Sequence, residues 1–163
     1  MTALFTDRED AERAYEALKA RRYESDEVNV LMTDDTRKRL FSPDTELGNK
    51  AAKGAGVGGA VGVTVGAIAA AIAAVGTSIA IPGLGLVVAG PLAAALAGAG
   101  AGGVTGGLLG ALIGAGIPEE RVKHYEAGIK SGGILLAVRP RSEEDASYFE
   151  NEWTKAGGTH VYR

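Results

Sequence analysis

Residues 54–117 read GAGVGGAVGVTVGAIAAAIAAVGTSIAIPGLGLVVAGPLAAALAGAGAGGVTGGLLGALIGAGI, and between Lys53 and Glu119 there is no Asp, Glu, Lys or Arg. Two glycine series run through this stretch at a four-residue spacing. Gly54, Gly58, Gly62 and Gly66 form the first, continued by Ala70, Ala74 and Ser78. Gly90, Ala94, Gly98, Gly102, Gly106, Gly110 and Gly114 form the second. A helix-interior glycine costs about 0.5–1 kcal/mol relative to alanine, so the repetition implies a gain elsewhere. Small residues on one helix face let two backbones approach closely, which is the packing mode of GxxxG-type helix pairs. The spacing therefore predicts a helical hairpin. Folded about Leu84, it sets Gly54 beside Gly114, Gly62 beside Gly106 and Ser78 beside Gly90. The connection SIAIPGLGLVVAGP carries the tip residues Pro82, Gly83 and Pro91, where Pro82-Gly83 breaks one helix and Pro91 opens the next.

Each limb has about 25 residues and so spans roughly 37 Å, enough for a hydrocarbon core. Gly and Ala dominate the limbs, so insertion is expected as a pair. Lys50 and Lys53 precede the first limb, and Arg121 and Lys123 follow the second. Those four cations are candidates for contact with anionic head groups, and they place both termini in the cytoplasm. A soluble closed assembly of the same hairpins is the alternative, and a pore-forming hairpin a weaker third. A soluble monomer would expose more apolar surface than monomers tolerate.

The flanks differ sharply in composition. Residues 1–53 and 118–163 carry the charge of the chain, and the whole sums to -3 over 163 residues. Without a basic excess, nucleic acid is not an expected partner. Without cysteine, disulfides, thiolate metal sites and Cys nucleophiles are excluded. The acidic turn after MTALF argues against a secretory signal.

Residues 3–5 read as a strand, and Thr6 with Glu9 has capping-box spacing. Ala11, Ala14, Tyr15 and Leu18 then share one helix face. Val28–Met32 reads as a second strand, followed by a short polar helix and a linker. After the apolar segment, Pro118 suits a first helical position, and Val122, Tyr125 and Ile129 share a face. Ile134–Val138 is a strand. Ser142 caps the next helix toward Asp145, with Ala146, Phe149 and Trp153 as its buried stripe, and THVYR is a last strand. Two strand–helix–strand halves of this kind imply an α+β, ferredoxin-like antiparallel sheet. Three regions follow: 1–53, the glycine-zipper hairpin 54–117, and 118–163. The flanks are then expected to fold together even with the segment deleted, as about 100 residues can support a core.

Catalytic signals are weak. Gly54–Gly59 and Gly98–Gly103 fit G-x-G-x-x-G, but neither follows a strand nor precedes an acidic residue within reach. His124 and His160 lie on different elements, and Asp34-Asp35 reads as a solvated loop. No catalytic residue, metal site, cofactor or small-molecule substrate is expected.

The stretch GIPEERVKHYEAGIKSGGILLAVRP (116–140) resembles the bacterial general-stress, heat-induced stress protein family, which has low-temperature-induced relatives. The N-terminal strand and acidic helix resemble that family's first half, and the Gly-rich middle its apolar insertion. The resemblance implies a stress-associated, non-enzymatic protein with no catalytic residues to carry over.

Overall fold

The computed structural model describes residues 1–41, 68, 79–81, 85–98, 107–114 and 116–163. It is α+β. Its strands are β1 (Thr2–Phe5), β2 (Val28–Thr33), β3 (Ile79–Ile81), β4 (Leu86–Ala89), β5 (Ile134–Val138) and β6 (Thr159–Tyr162). They form one six-stranded sheet in the order β3-β4-β2-β5-β1-β6, antiparallel at every pairing. The helices are α1 (Arg8–Ala20), α2 (Asp34–Phe41), α3 (Pro91–Gly98), α4 (Gly107–Gly114), α5 (Glu119–Lys130) and α6 (Glu143–Lys155).

The central strands are apolar at nearly every position because both sheet faces are covered. Strand alternation sorts them. Ala3, Phe5, Val28, Val30, Met32, Val87, Ala89, Ile134, Leu136 and Val138 point to one face, against Tyr15 and Leu18 of α1 and Phe149 and Trp153 of α6. Leu4, Leu31, Leu86, Val88 and Leu135 point to the other, against Val122, Tyr125 and Ile129 of α5 and against Leu92, Ala93 and Leu112. The predicted helix stripes are thus the buried ones: Ala11, Ala14, Leu18, Val122, Tyr125, Ile129, Phe149 and Trp153 are all at 0 % exposure.

Local signals set the element ends. Ser142 Oγ accepts the Asp145 amide at 3.1 Å, as its spacing predicts. The start of α1 is corrected by one residue: Asp7, not Thr6, is the N-cap, and its side chain makes no capping bond. Glu9 and Asp10 in the first turn meet the helix dipole directly instead. Pro118 lies just outside α5 with extended ψ 138°, its carbonyl accepting the amides of Arg121 and Val122.

The connection read as the tip of a helical hairpin is corrected. Residues 79–81 and 86–89 form a β-ribbon, paired Ile79↔Val88, Ala80↔Val87 and Ile81↔Leu86. The reversal expected about Leu84, which lies outside the described residues, is flanked by strands. β4 then pairs along β2, from Val30↔Ala89 to Thr33↔Leu86. The physical reason is composition: β-branched Ile79, Ile81, Val87 and Val88 stand on either side of the Pro82-Gly83 dipeptide in the sequence, a pattern that favours a β-hairpin. The tip is therefore part of the sheet and not the far end of a rod. Gly90 changes role as well. It lies at φ +100°, and a Cβ there would sit 2.2 Å from the Val28 carbonyl oxygen, so it is a turn glycine pressed against β2.

The second limb is corrected too. One continuous helix from Pro91 to Gly114 would hold its ends about 36 Å apart. Instead, Pro91 and Leu92 line the same cavity of about 430 Å³ as Gly116 and Ile117. The chain therefore leaves the sheet in α3 and returns in α4, and Leu92 and Leu112 join one buried cluster. Asn29 of β2 fixes the departure, its Oδ1 accepting the Leu92 amide at 2.7 Å.

Candidate functional site

Of the residues the sequence singles out, Gly54, Gly58, Gly62, Gly66, Gly102, Gly106, Pro82, Gly83, Lys50 and Lys53 lie outside the described residues. Pro91 is the first residue of α3 and Gly98 its last. Gly110 and Gly114 lie on α4, and a Cβ added at either meets no atom of the described residues within 4 Å. Beside them Ile113 is exposed. Among the described residues no helix is long and apolar enough to cross a membrane.

The apolar segment is tied into the α+β unit at three described places. One is the ribbon, where the Asp34 amide donates to the Gly85 carbonyl at 2.7 Å. The second is the Asn29 cap on α3. The third is Ile68, fully buried, whose amide donates to Glu12 Oε2 at 3.1 Å. Glu12 is itself buried beside Arg8, with Nε–Oε1 at 3.7 Å. Neither Arg8 nor Glu12 was marked by the sequence pattern, since both sit in a helix rich in exposed charge. A buried carboxylate needs a cation and amide donors, and this one has both.

Among the described residues, a concavity lies where the chain enters α3 and leaves α4. Arg121, Arg139 and Arg163 line it together with Leu92, Ile117 and Val138. Arg121 is held by its guanidinium, 4.3 Å from the Tyr162 ring centroid, and by donation to the Arg163 carbonyl at 3.1 Å. Arg163 also pairs with Glu143 and Glu150. Arg121 and Arg139 make no ion pair with a described Asp or Glu side chain, and no described Asp or Glu lines this cavity. The Met1 amino group donates to the Val138 carbonyl at 2.6 Å. Burial holds it below the usual range of an amine, and the charges of Arg121 and Arg139 lower it further. Arg121 was marked in advance, but Arg139 was not, because a lone Arg before a proline carries no pattern. Lys123, marked with Arg121, is instead exposed and paired with Glu119 at 3.2 Å.

The two histidines come together. His124 of α5 and His160 of β6 stack with centroids 4.8 Å apart and rings 16° from parallel. Asp34 opens α2, and Lys38 and then Arg37 hold its carboxyl below the usual range. Among the described residues no group of three His, Cys, Asp or Glu side chains is placed to hold a metal ion. Comparison with protein-family models, with curated proteins and with solved structures finds no match to this chain.

Proposed function

We propose that this chain is a non-enzymatic, membrane-associated structural protein that assembles with copies of itself through its glycine-spaced helices. The observation that carries the reading is the face of α4 where Gly110 and Gly114 meet none of the described residues, beside the exposed Ile113. A mid-helix glycine with no described neighbour within the chain gains nothing internally for its propensity cost, whereas an incoming helix can use the gap. On this reading β2, β5, β1 and β6 with α1 and α6 form a ferredoxin-like core in which two strand–helix–strand units interleave. The charge-free segment adds to it a strand pair and the helices that meet neighbours or lipid. The likeness of residues 116–140 to general-stress proteins supports a stress-associated role. The cations flanking the segment, Arg121 and Lys123 among them, support a cytoplasmic-membrane location with both termini on the cytoplasmic side.

A second reading, a soluble homo-oligomer closed on its apolar helices, is favoured by the return of α4 to the sheet and the burial of Leu92, Ala93 and Leu112 there. One experiment tests the shared core of both. Full-length wild type and Gly110→Leu are fractionated and sized with and without detergent. Wild type is expected as a discrete oligomer, and the variant as a smaller species with an unchanged circular dichroism spectrum. A monomeric wild type, or an undisturbed oligomer in the variant, sinks the assembly reading. A wild-type oligomer recovered without detergent selects the soluble form.

A further inference from the structure

We infer that the cavity lined by Arg121, Arg139 and Arg163 is a binding site for an amphiphile with an oxyanion head, a phosphate or carboxylate carried on an alkyl chain. The inference stands apart from membrane association, since such a ligand can arrive as a free molecule or as a bilayer lipid.

The cavity's chemistry is divided in the way this ligand requires. One part is cationic. Arg121 and Arg139 pair with no described Asp or Glu side chain, and both line the same cavity as the Met1 amino group. Arg163, already engaged with Glu143 and Glu150, adds less field but closes the rim. Guanidinium groups present planar, paired donors that suit phosphate and carboxylate oxygens. Arg121 is also pre-oriented, because the Tyr162 ring and the Arg163 carbonyl fix its plane before any ligand arrives. The other part is apolar: Leu92, Ile117 and Val138 offer side chains where an alkyl chain would lie. The volume of about 430 Å³ falls within the range of small-ligand sites. The remaining polar groups at the wall are occupied. Thr2 Oγ1 bonds Tyr125 OH at 2.6 Å, and Asn29 Oδ1 bonds the Leu92 amide, so charge and apolar contact are left to select the ligand.

The test titrates the full chain with octyl phosphate, 1-octanol and inorganic phosphate by calorimetry, following the arginine Nε–H resonances in parallel. Octyl phosphate is expected to bind saturably at one site and to shift Arg121 and Arg139. Octanol and phosphate, each lacking half of the recognition, are expected to bind at least roughly tenfold more weakly. Arg139→Gln changes an exposed side chain and is expected to keep the fold while weakening octyl phosphate roughly tenfold, the loss typical of a charge-assisted contact. Arg139→Lys should recover part of it, and Arg13→Gln, outside the cavity, none of the loss. Equal binding of octanol, affinity unchanged in Arg139→Gln, or no saturable binding overturns the proposal. Vesicles of phosphatidylcholine with and without phosphatidylglycerol then assign the source. Recruitment by the anionic vesicles that Arg139→Gln abolishes identifies a bilayer head group. Octyl phosphate binding without vesicle recruitment identifies a free amphiphile, and in that case the site stands while the membrane reading falls.

Discussion

The two faces of the sheet are built from different material. One is closed mainly by the polar flanks, with aromatic residues: Phe5, Tyr15, Tyr23, Phe149 and Trp153 are all buried, and the charge-free segment adds Ile68, Val87 and Ala89 at its side. Directional contacts fix them. Trp153 Nε1 donates to the Ala14 carbonyl at 3.0 Å, Tyr23 OH donates to Asp145 at 2.8 Å, and Phe5 meets Trp153 edge to face. The other face is aliphatic apart from Tyr125, and part of its cover comes from the charge-free segment through Leu86, Val88, Leu92, Ala93 and Leu112. The flanks therefore supply most of one core, all its aromatic residues included, and share the second more evenly with the segment. The glycine-rich segment is a structural member of the domain as well as a candidate for assembly.

The strongest way to break this comparison is to delete residues 54–117 and join the ends with a Gly/Ser linker. The sequence alone predicts a folded domain. The structure predicts otherwise, because β2 would lose its β4 partner and Leu31, Leu86's neighbours and Leu135 would be uncovered. The expected product binds a hydrophobic dye and gives a poorly dispersed amide spectrum. A dispersed spectrum would show that α5 covers the second face unaided.

Point substitutions compare the faces more finely. Trp153→Ala removes a fully buried indole and its bond to Ala14 and is expected to cost about 3–5 kcal/mol in urea unfolding. Leu112→Ala removes one aliphatic contact on the shared face and is expected near the low end for such changes, about 2 kcal/mol. If the order reverses, the shared face is the principal core.

The segment's glycines separate by role in the same way. Gly90→Ala forces a Cβ against the Val28 carbonyl at positive φ and should destabilise by about 1–3 kcal/mol. Gly110→Ala, whose Cβ on α4 meets none of the described residues, should stabilise the isolated chain by about 0.5–1 kcal/mol through helix propensity. Equal effects in thermal melts would mean that the four-residue spacing, and not local geometry, sets what each glycine does.

Much of this was readable from residues. Ile134–Val138 announces itself as a short apolar run after Gly132-Gly133, the Ser142 cap by its spacing to Asp145, and the buried stripes by 3.6-residue periodicity. The ribbon was hidden because an apolar run between glycines has no period that separates strand from helix. Its β-branched residues around Pro82-Gly83 were the available signal. The out-and-back path of α3 and α4 was hidden because a four-residue series reads the same through a reversal as along one helix. The cationic cavity was half visible: Arg121 lies beside the apolar segment in sequence, whereas Arg139 and Arg163 reach it only through the sheet.

The smallest effect expected concerns buried phenols, one on each face. Tyr23 sits against Phe149 on the aromatic face, and Tyr125 lies under the shared face with its hydroxyl donating to the His160 carbonyl at 2.9 Å. Burial pushes both phenols above their ordinary value of about 10. For Tyr23 the Asp145 carboxylate adds to the rise and the Arg141 amide opposes it; for Tyr125 the Thr2 hydroxyl and Arg121 oppose it. In the unfolded chain each phenol loses its proton near pH 10, while in the folded chain it still holds it. The unfolded state then binds fewer protons, so stability falls as pH rises above about 10 and levels off once the folded phenols also ionise. The contribution is fully present below pH 10 and is lost above it. Urea midpoints measured from pH 8 to 11.5 should therefore decline, with a shallower decline in Tyr23→Phe and in Tyr125→Phe. Because the two tyrosines lie on opposite faces without a shared partner, the double variant should show the sum of the two changes. A decline that one substitution removes entirely would mean that a single face governs alkaline unfolding, and that the two cores do not open together.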